Sequence, residues 1–283
     1  MGKIHIIADS TCDLSPELAQ KYGVTILPLY IQRGEESLKD GFEIVPEQIF
    51  EYFEQTGKLC KTAAVSVGDY LEVFEPIVKS GDAIVHFTIS SEMSSCYQNA
   101  CIAAQELGGE IHVVDSRNLS TGIGLLVIKA CKLRDEGKSA QEIFDAVTAL
   151  IPQVRTTFVI DSLEYLAKGG RCSAIAALGA NMLKLKPCII VSDGQMSVGK
   201  KYRGNVTKVL PQYVADQLGT GESVDPDCIF VEHTGAAPEI VQKVCDQVRA
   251  LVSPRDLYIG VAGSTISSHC GRNVLGVIYF EKN

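Results

Sequence analysis

AIVHFTISSEMSSCYQNACIAAQEL, residues 83–107, passes from an unbroken apolar run through a turn crowded with hydroxyls into an amphipathic pattern. The run Ala83–Ser90 reads as a short apolar strand. From Tyr97 the apolar positions Tyr97, Ala100, Cys101, Ala104 and Leu107 recur at helical spacing. Ser95-Cys96-Tyr97-Gln98 has capping-box form, so Ser95 is expected to cap that helix. The same order of strand, hydroxyl turn and helix occurs twice more. KIHIIADS (3–10) precedes TCDLSPELAQKYG (11–23), where Ser15 can cap, Pro16 suits the first helical position and Gly23 can end the helix. IHVVDS (111–116) precedes RNLSTGIGLLVIKACKLRDEG (117–137).

Strands alternating with helices of this length predict βαβ units and a parallel, Rossmann-like sheet. In such sheets ligands collect beyond the carboxyl ends of the strands. The turns at Ser10-Thr11, Ser90–Ser95 and Ser116 with Ser120-Thr121 all fall at such ends. Surplus hydroxyls beside free helix N–H groups suit an anion, although serines that only cap and turn would leave the same pattern. Ser139 with Glu142 opens a further helix by a capping box, and Pro152 closes it.

Beyond residue 153 the grammar changes. TTFVID, KPCIIVSDGQMSVGKKYRG, DCIFVEHTG, LYIGVAG and VLGVIYFEK read as strands, with a tight turn at Asp193-Gly194 making a hairpin. Helical patterns fall at 162–168, 174–184, 205–218 and 237–251. The expected architecture is an α/β domain over 1–153 and a smaller α+β domain over 154–283 with a mostly antiparallel sheet.

Composition narrows the function. The chain has 283 residues, 46% of them hydrophobic, enough for two ordinary cores, and a net charge of −8 without a Lys/Arg cluster. That balance argues against nucleic acid. The ten cysteines are scattered, without C-x-x-C or histidine at ligand spacing, which favours reduced thiols over disulfides or a metal centre. No apolar run reaches the roughly 18 residues of a membrane span, so a cytoplasmic protein is expected. Ser197–Lys200 matches S-x-x-K but follows a hairpin turn instead of opening a helix. His269 and Cys270, read as neighbours on an extended segment, would point to opposite faces. G-x-S-x-G, Walker-type and complete G-x-G-x-x-G motifs are missing, which removes the usual hydrolase and nucleotide readings.

Seven segments together resemble one family: ADSTCDLS, TISSEMSSCYQNA, VDSRNLSTG, SLEYLAKGGRCS, LKPCIIVSDGQMSVGKKYRG, EHTG and IGVAGSTISSHCG. Their order and spacing over the whole chain are similar to those of DegV family proteins. The resemblance implies a carrier without cofactor that holds a long-chain fatty acid between two domains and presents it to a dihydroxyacetone-kinase-like fatty acid kinase subunit. It implies head-group binding at Thr62 and Ser94, with Ser90, Ser95, Arg171 and His269 close by and Arg203 on the docking surface. The chain departs from the family pattern at Val65, Ser95 and Cys270–Asn273. A serine-dependent acyl hydrolase built on the same hydroxyls is the alternative reading, and the sequence leaves acyl chain length, unsaturation and oligomeric state open.

Overall fold

The computed structural model describes residues 2–172 and 185–282. The first half contains strands β1 (Ile4–Asp9), β2 (Val24–Leu27), β3 (Tyr30–Arg33), β4 (Glu36–Lys39), β5 (Lys61–Ala63), β6 (Ala83–Thr88) and β7 (Ile111–Asp115). Its helices are α1 (Pro16–Tyr22), α2 (Pro46–Thr56), α3 (Val67–Lys79), α4 (Cys96–Leu107), α5 (Thr121–Asp135) and α6 (Ala140–Leu150). The second half contains β8 (Val154–Val159), α7 (Glu164–Gly169), β9 (Leu185–Ser192), β10 (Gln195–Arg203), α8 (Val206–Leu218), β11 (Val224–Thr234), α9 (Pro238–Val252), β12 (Asp256–Val261), α10 (Ser264–Cys270) and β13 (Val274–Glu281). The helical pattern read at 174–184 lies outside the described residues.

Strands β2-β1-β6-β7 form a wholly parallel sheet in that order. β6 is buried along its whole length, as an unbroken apolar run demands. The second sheet runs β10-β9-β8-β13-β11-β12, antiparallel throughout except for the parallel pair β11–β12. Sequence patterning missed a third sheet, β4-β3-β5, because its strands are three to four residues long and β4 is largely exposed.

Helix α5 joins the large sheets, touching β1 and β6 on one side and β8, β11 and β13 on the other. Thr121–Ile128, Ala130 and Cys131 are all buried, which requires a helix apolar around its circumference. Gly124 admits this close approach, since a Cβ there would lie 3.0 Å from the Cys12 carbonyl. Expected caps are present at Ser15 with Gly23 and at Ser139 with Glu142. Residues 264–270, read as extended, are helical instead. Asp40 caps that helix from the distant β4–α2 loop, accepting from the Ser264 and Thr265 N–H groups at 2.8 and 3.2 Å. A capping carboxylate 224 residues away leaves no local signature.

Candidate functional site

A cavity of about 230 Å³ opens where the three sheets converge. Its polar lining comes from Thr62, the Met93–Ser95 turn, Arg171, Thr265 and His269, with His269 in contact with Thr62. Leu29, Ile89, Leu119, Met196 and Ile266 supply the apolar wall. Thr62 comes from β5 in the small antiparallel sheet, so it is not part of a βα turn of the parallel sheet. Ser94 and Ser95 come from the turn after β6, where Ser94 N–H bonds the Ser90 carbonyl and closes the loop.

The hydroxyls of this turn divide their work differently from the sequence expectation. Ser95 occupies the N-cap position of α4 but its side chain makes no capping bond. The Ser94 hydroxyl accepts from the Cys96 N–H at 3.3 Å and donates to the Cys96 sulfur at 3.2 Å. A thiol is a weak acceptor, so that proton is readily surrendered to an oxyanion. Ser90 does not line the cavity, because its buried hydroxyl donates to the Gly194 carbonyl at 2.7 Å. Ser91 is held by Asp115 at 2.6 Å.

The Ser90 bond belongs to a clasp between the sheets. Arg117 donates to the Asp193 carbonyl, and Gln195 to Glu92 at 2.9 Å. The β9–β10 hairpin is thereby pinned onto the ends of β6 and β7, which carries Met196 into the cavity wall. Arg203, at the far end of β10, is exposed and does not line the cavity.

His269 Nε2 lies 2.9 Å from the Thr62 hydroxyl. Burial, and after it the Arg171 charge, push this imidazole down to about 4, so it is neutral at physiological pH. Its Nδ1 has no hydrogen-bond partner and packs over Gly169, where a Cβ would lie only 2.5 Å away. The exposed Arg171 donates to the Gly169 carbonyl at 2.8 Å and leaves its charge beside the imidazole. The polar end therefore offers neutral donors, with one guanidinium at its edge. Among the described residues no group of His, Cys, Asp and Glu is placed to hold a metal ion. Cys12, Cys60, Cys96, Cys101, Cys131, Cys188, Cys228, Cys245 and Cys270 are free thiols, and no described helix is long and apolar enough to cross a membrane.

Comparison with known proteins gives a consistent result. A family model described as an uncharacterised protein of the DegV family matches residues 3–282. A DegV domain-containing protein of Clostridium acetobutylicum is 32% identical over 285 residues, spanning 100% of both chains. The solved structure of a fatty-acid-binding DegV family protein from Thermus thermophilus superposes with a TM-score of 0.91 at 26% identity, covering 99% of each chain. The Streptococcus pneumoniae fatty acid kinase B3 protein, loaded with linoleic acid, superposes with a TM-score of 0.85 at 25% identity over 98% of this chain and 99% of that one.

Proposed function

The chain belongs to the DegV family, and from that membership and the geometry of its cavity we propose that it is a cytoplasmic carrier of a long-chain fatty acid. The observation that carries the reading is the single cavity joining Thr62, Ser94 and His269 at one end to an apolar wall at the other. Tail burial supplies the larger part of the affinity, about 0.8 kcal/mol per methylene. Each charge-assisted hydrogen bond to the carboxylate adds roughly 1.5–3 kcal/mol.

The histidine has a defined task in this arrangement. With its proton on Nε2, neutral His269 donates to the Thr62 oxygen and leaves the Thr62 O–H free to donate to the ligand. Ser94 turns its proton from the Cys96 sulfur to the second carboxylate oxygen. A carboxylate held by neutral hydroxyls keeps its nucleophilicity. In the finer reading a carboxylate oxygen attacks the terminal phosphorus of a nucleoside triphosphate held by a dihydroxyacetone-kinase-like partner docked near Arg203; the bond to the next phosphate breaks, the nucleoside diphosphate leaves with the partner and an acyl phosphate forms. The fatty acid kinase protein among the similar structures supports that assignment.

The Thr62–His269 distance also has the form of a nucleophile and its base, which favours the acyl hydrolase as second reading. A histidine held near 4 is a weak base at neutral pH, and no group orients its Nδ1. Native mass spectrometry of protein purified from a bacterial host separates the two. The carrier retains a co-purifying mass in the fatty-acid range and does not turn over acyl esters; an empty protein that hydrolyses them overturns the proposal.

A further inference from the structure

Leu119, Ile266 and Cys270 are walls shared with a second, smaller cavity of about 20 Å³. It lies against the face of the six-stranded sheet that meets α5. Register places Phe158, Gly276 and Glu232 in one row across β8, β13 and β11, and Thr156, Ile278 and Phe230 in the next row on the same face. Most of this surface is apolar, but two side chains are not. Glu232 is 6% exposed and neither carboxyl oxygen has a partner; Thr156 is 1% exposed and its hydroxyl has none. Both line the small cavity.

The neighbours of Glu232 are shaped to admit it. It pairs with Gly260 on β12 and Gly276 on β13, and a Cβ at Gly260 would overlap its carboxyl group. Two flanking glycines open the space that a buried acid needs in the middle of a sheet. Burial, and next the charge of Asp13, hold the Glu232 carboxyl well above the usual carboxylate range, which favours its protonated form. It then presents one O–H donor and one carbonyl acceptor, with the Thr121 hydroxyl of α5 beside it but not aligned to satisfy either.

We propose that this cavity is a subsite for a hydroxyl group carried on the acyl chain, recognised by the Glu232 carboxyl and the Thr156 hydroxyl. The inference rests on the fatty-acid reading and names the class of chain that site takes. Free space of about 20 Å³ exceeds the roughly 10–15 Å³ that one water-sized group needs and is too small for a run of methylenes. An unmodified alkyl tail leaves both buried groups unpaired, whereas a hydroxyl can accept from the Glu232 O–H and donate to its carbonyl or to Thr156. Leu119, Ile266 and Cys270 line both cavities, so a tail lying along them borders the small one directly.

The test is competition binding of stearate and a set of monohydroxystearates, with the hydroxyl stepped along the distal half of the chain, to the wild type, Glu232→Leu and Thr156→Val. At least one isomer should bind the wild type more tightly than stearate does. Its preference over stearate should fall by about tenfold in Glu232→Leu, the loss of one buried hydrogen bond. Thr156→Val, which keeps the side-chain shape, should lower the preference in the same direction and serves if Glu232→Leu does not fold. Stearate preferred over every isomer by the wild type would overturn the subsite, the cavity then holding only water. An isomer preference unchanged in the folded variants would overturn it too. Failure of both stearate and the hydroxystearates to bind the wild type would instead overturn the fatty-acid reading itself.

Discussion

The two ends of the cavity system both hold titratable groups, and burial neutralises them by opposite routes. At the polar end, desolvation lowers His269 and the imidazole sheds its proton. At the inner end, desolvation raises Glu232 and the carboxyl keeps its proton. The charged form is disfavoured in each case, and only the sign of that charge differs. Their hydrogen bonding differs as well. His269 is tied to Thr62 at 2.9 Å and Ser94 to Cys96 at 3.2 Å, while both Glu232 oxygens are orphaned. The polar end is organised before any ligand arrives. The inner end holds an unmet hydrogen-bonding demand that a ligand can satisfy.

The largest effect on affinity is expected from emptying the polar end. Thr62→Ala and Ser94→Ala should each weaken fatty-acid binding by roughly 1–3 kcal/mol, and the double variant by more than their sum, as the remaining N–H groups cannot hold the carboxylate dry. Isothermal titration with all three variants measures this. Unchanged affinity in the double variant would falsify the head-group assignment.

Two glycines allow each end to be disturbed alone. Gly169→Ala places a methyl 2.5 Å from His269 Nδ1, and Gly260→Ala places one on the Glu232 carboxyl. Overpacking of this kind costs about 1–3 kcal/mol, so both variants should melt earlier. Only Gly169→Ala should also weaken binding of an unmodified fatty acid. Equal loss of affinity from Gly260→Ala would erase the distinction between the ends.

Acidity should separate them with opposite signs. The folded value of His269, about 4, lies below its unfolded value near 6.5. Its contribution is complete above the unfolded value and is lost as pH falls from there toward 4, by about 3 kcal/mol at most. Glu232 is raised, so its contribution is complete below the unfolded value near 4.3 and is lost as pH rises above that. Over the window from about 4.3 to 6.5 the two slopes oppose one another. Asp13, raised by burial as well, adds a falling slope common to all three proteins; relative to the wild type, His269→Gln should therefore make stability fall more steeply with pH there, and Glu232→Gln should shift the slope in the rising direction. Thermal melts across that range decide the matter; parallel curves for the two variants would refute the contrast.

The smallest effect on affinity is assigned to Ser91→Ala. That hydroxyl meets Asp115 at 2.6 Å and Arg117 at 3.4 Å, not the neighbouring backbone as a third hydroxyl on one turn suggests. Fatty-acid affinity should stay within experimental error, while stability falls by about 1 kcal/mol. A tenfold loss of affinity would move the head group toward Asp115.

Periodicity was sufficient for what is local and repeated. Strands β1, β6 and β7 of the parallel sheet, the hairpin at Asp193-Gly194 and the caps at Ser15 and Ser139 follow from side-chain spacing and turn chemistry within a few residues, whereas the four-residue β2 was too short to be read. Hydroxyls were legible only as a class. Three turns of similar composition stand at strand ends, yet Ser10 is spent on Asp40, Ser116 on the Asn118 carbonyl, Ser120 on Asp13 and Ser90 on Gly194. Of the three, only the Met93–Ser95 turn brings hydroxyls to the main cavity. Thr62 and His269 became candidates through family resemblance, and nothing in their own surroundings announces a contact across 207 residues. Glu232 could be read as one letter of EHTG, without a role. A hydroxyl or carboxyl can bind a ligand only when folding turns it toward open space with a proton or a lone pair to spare. That condition is set by strands and helices arriving from distant parts of the chain, so tertiary structure alone could decide it.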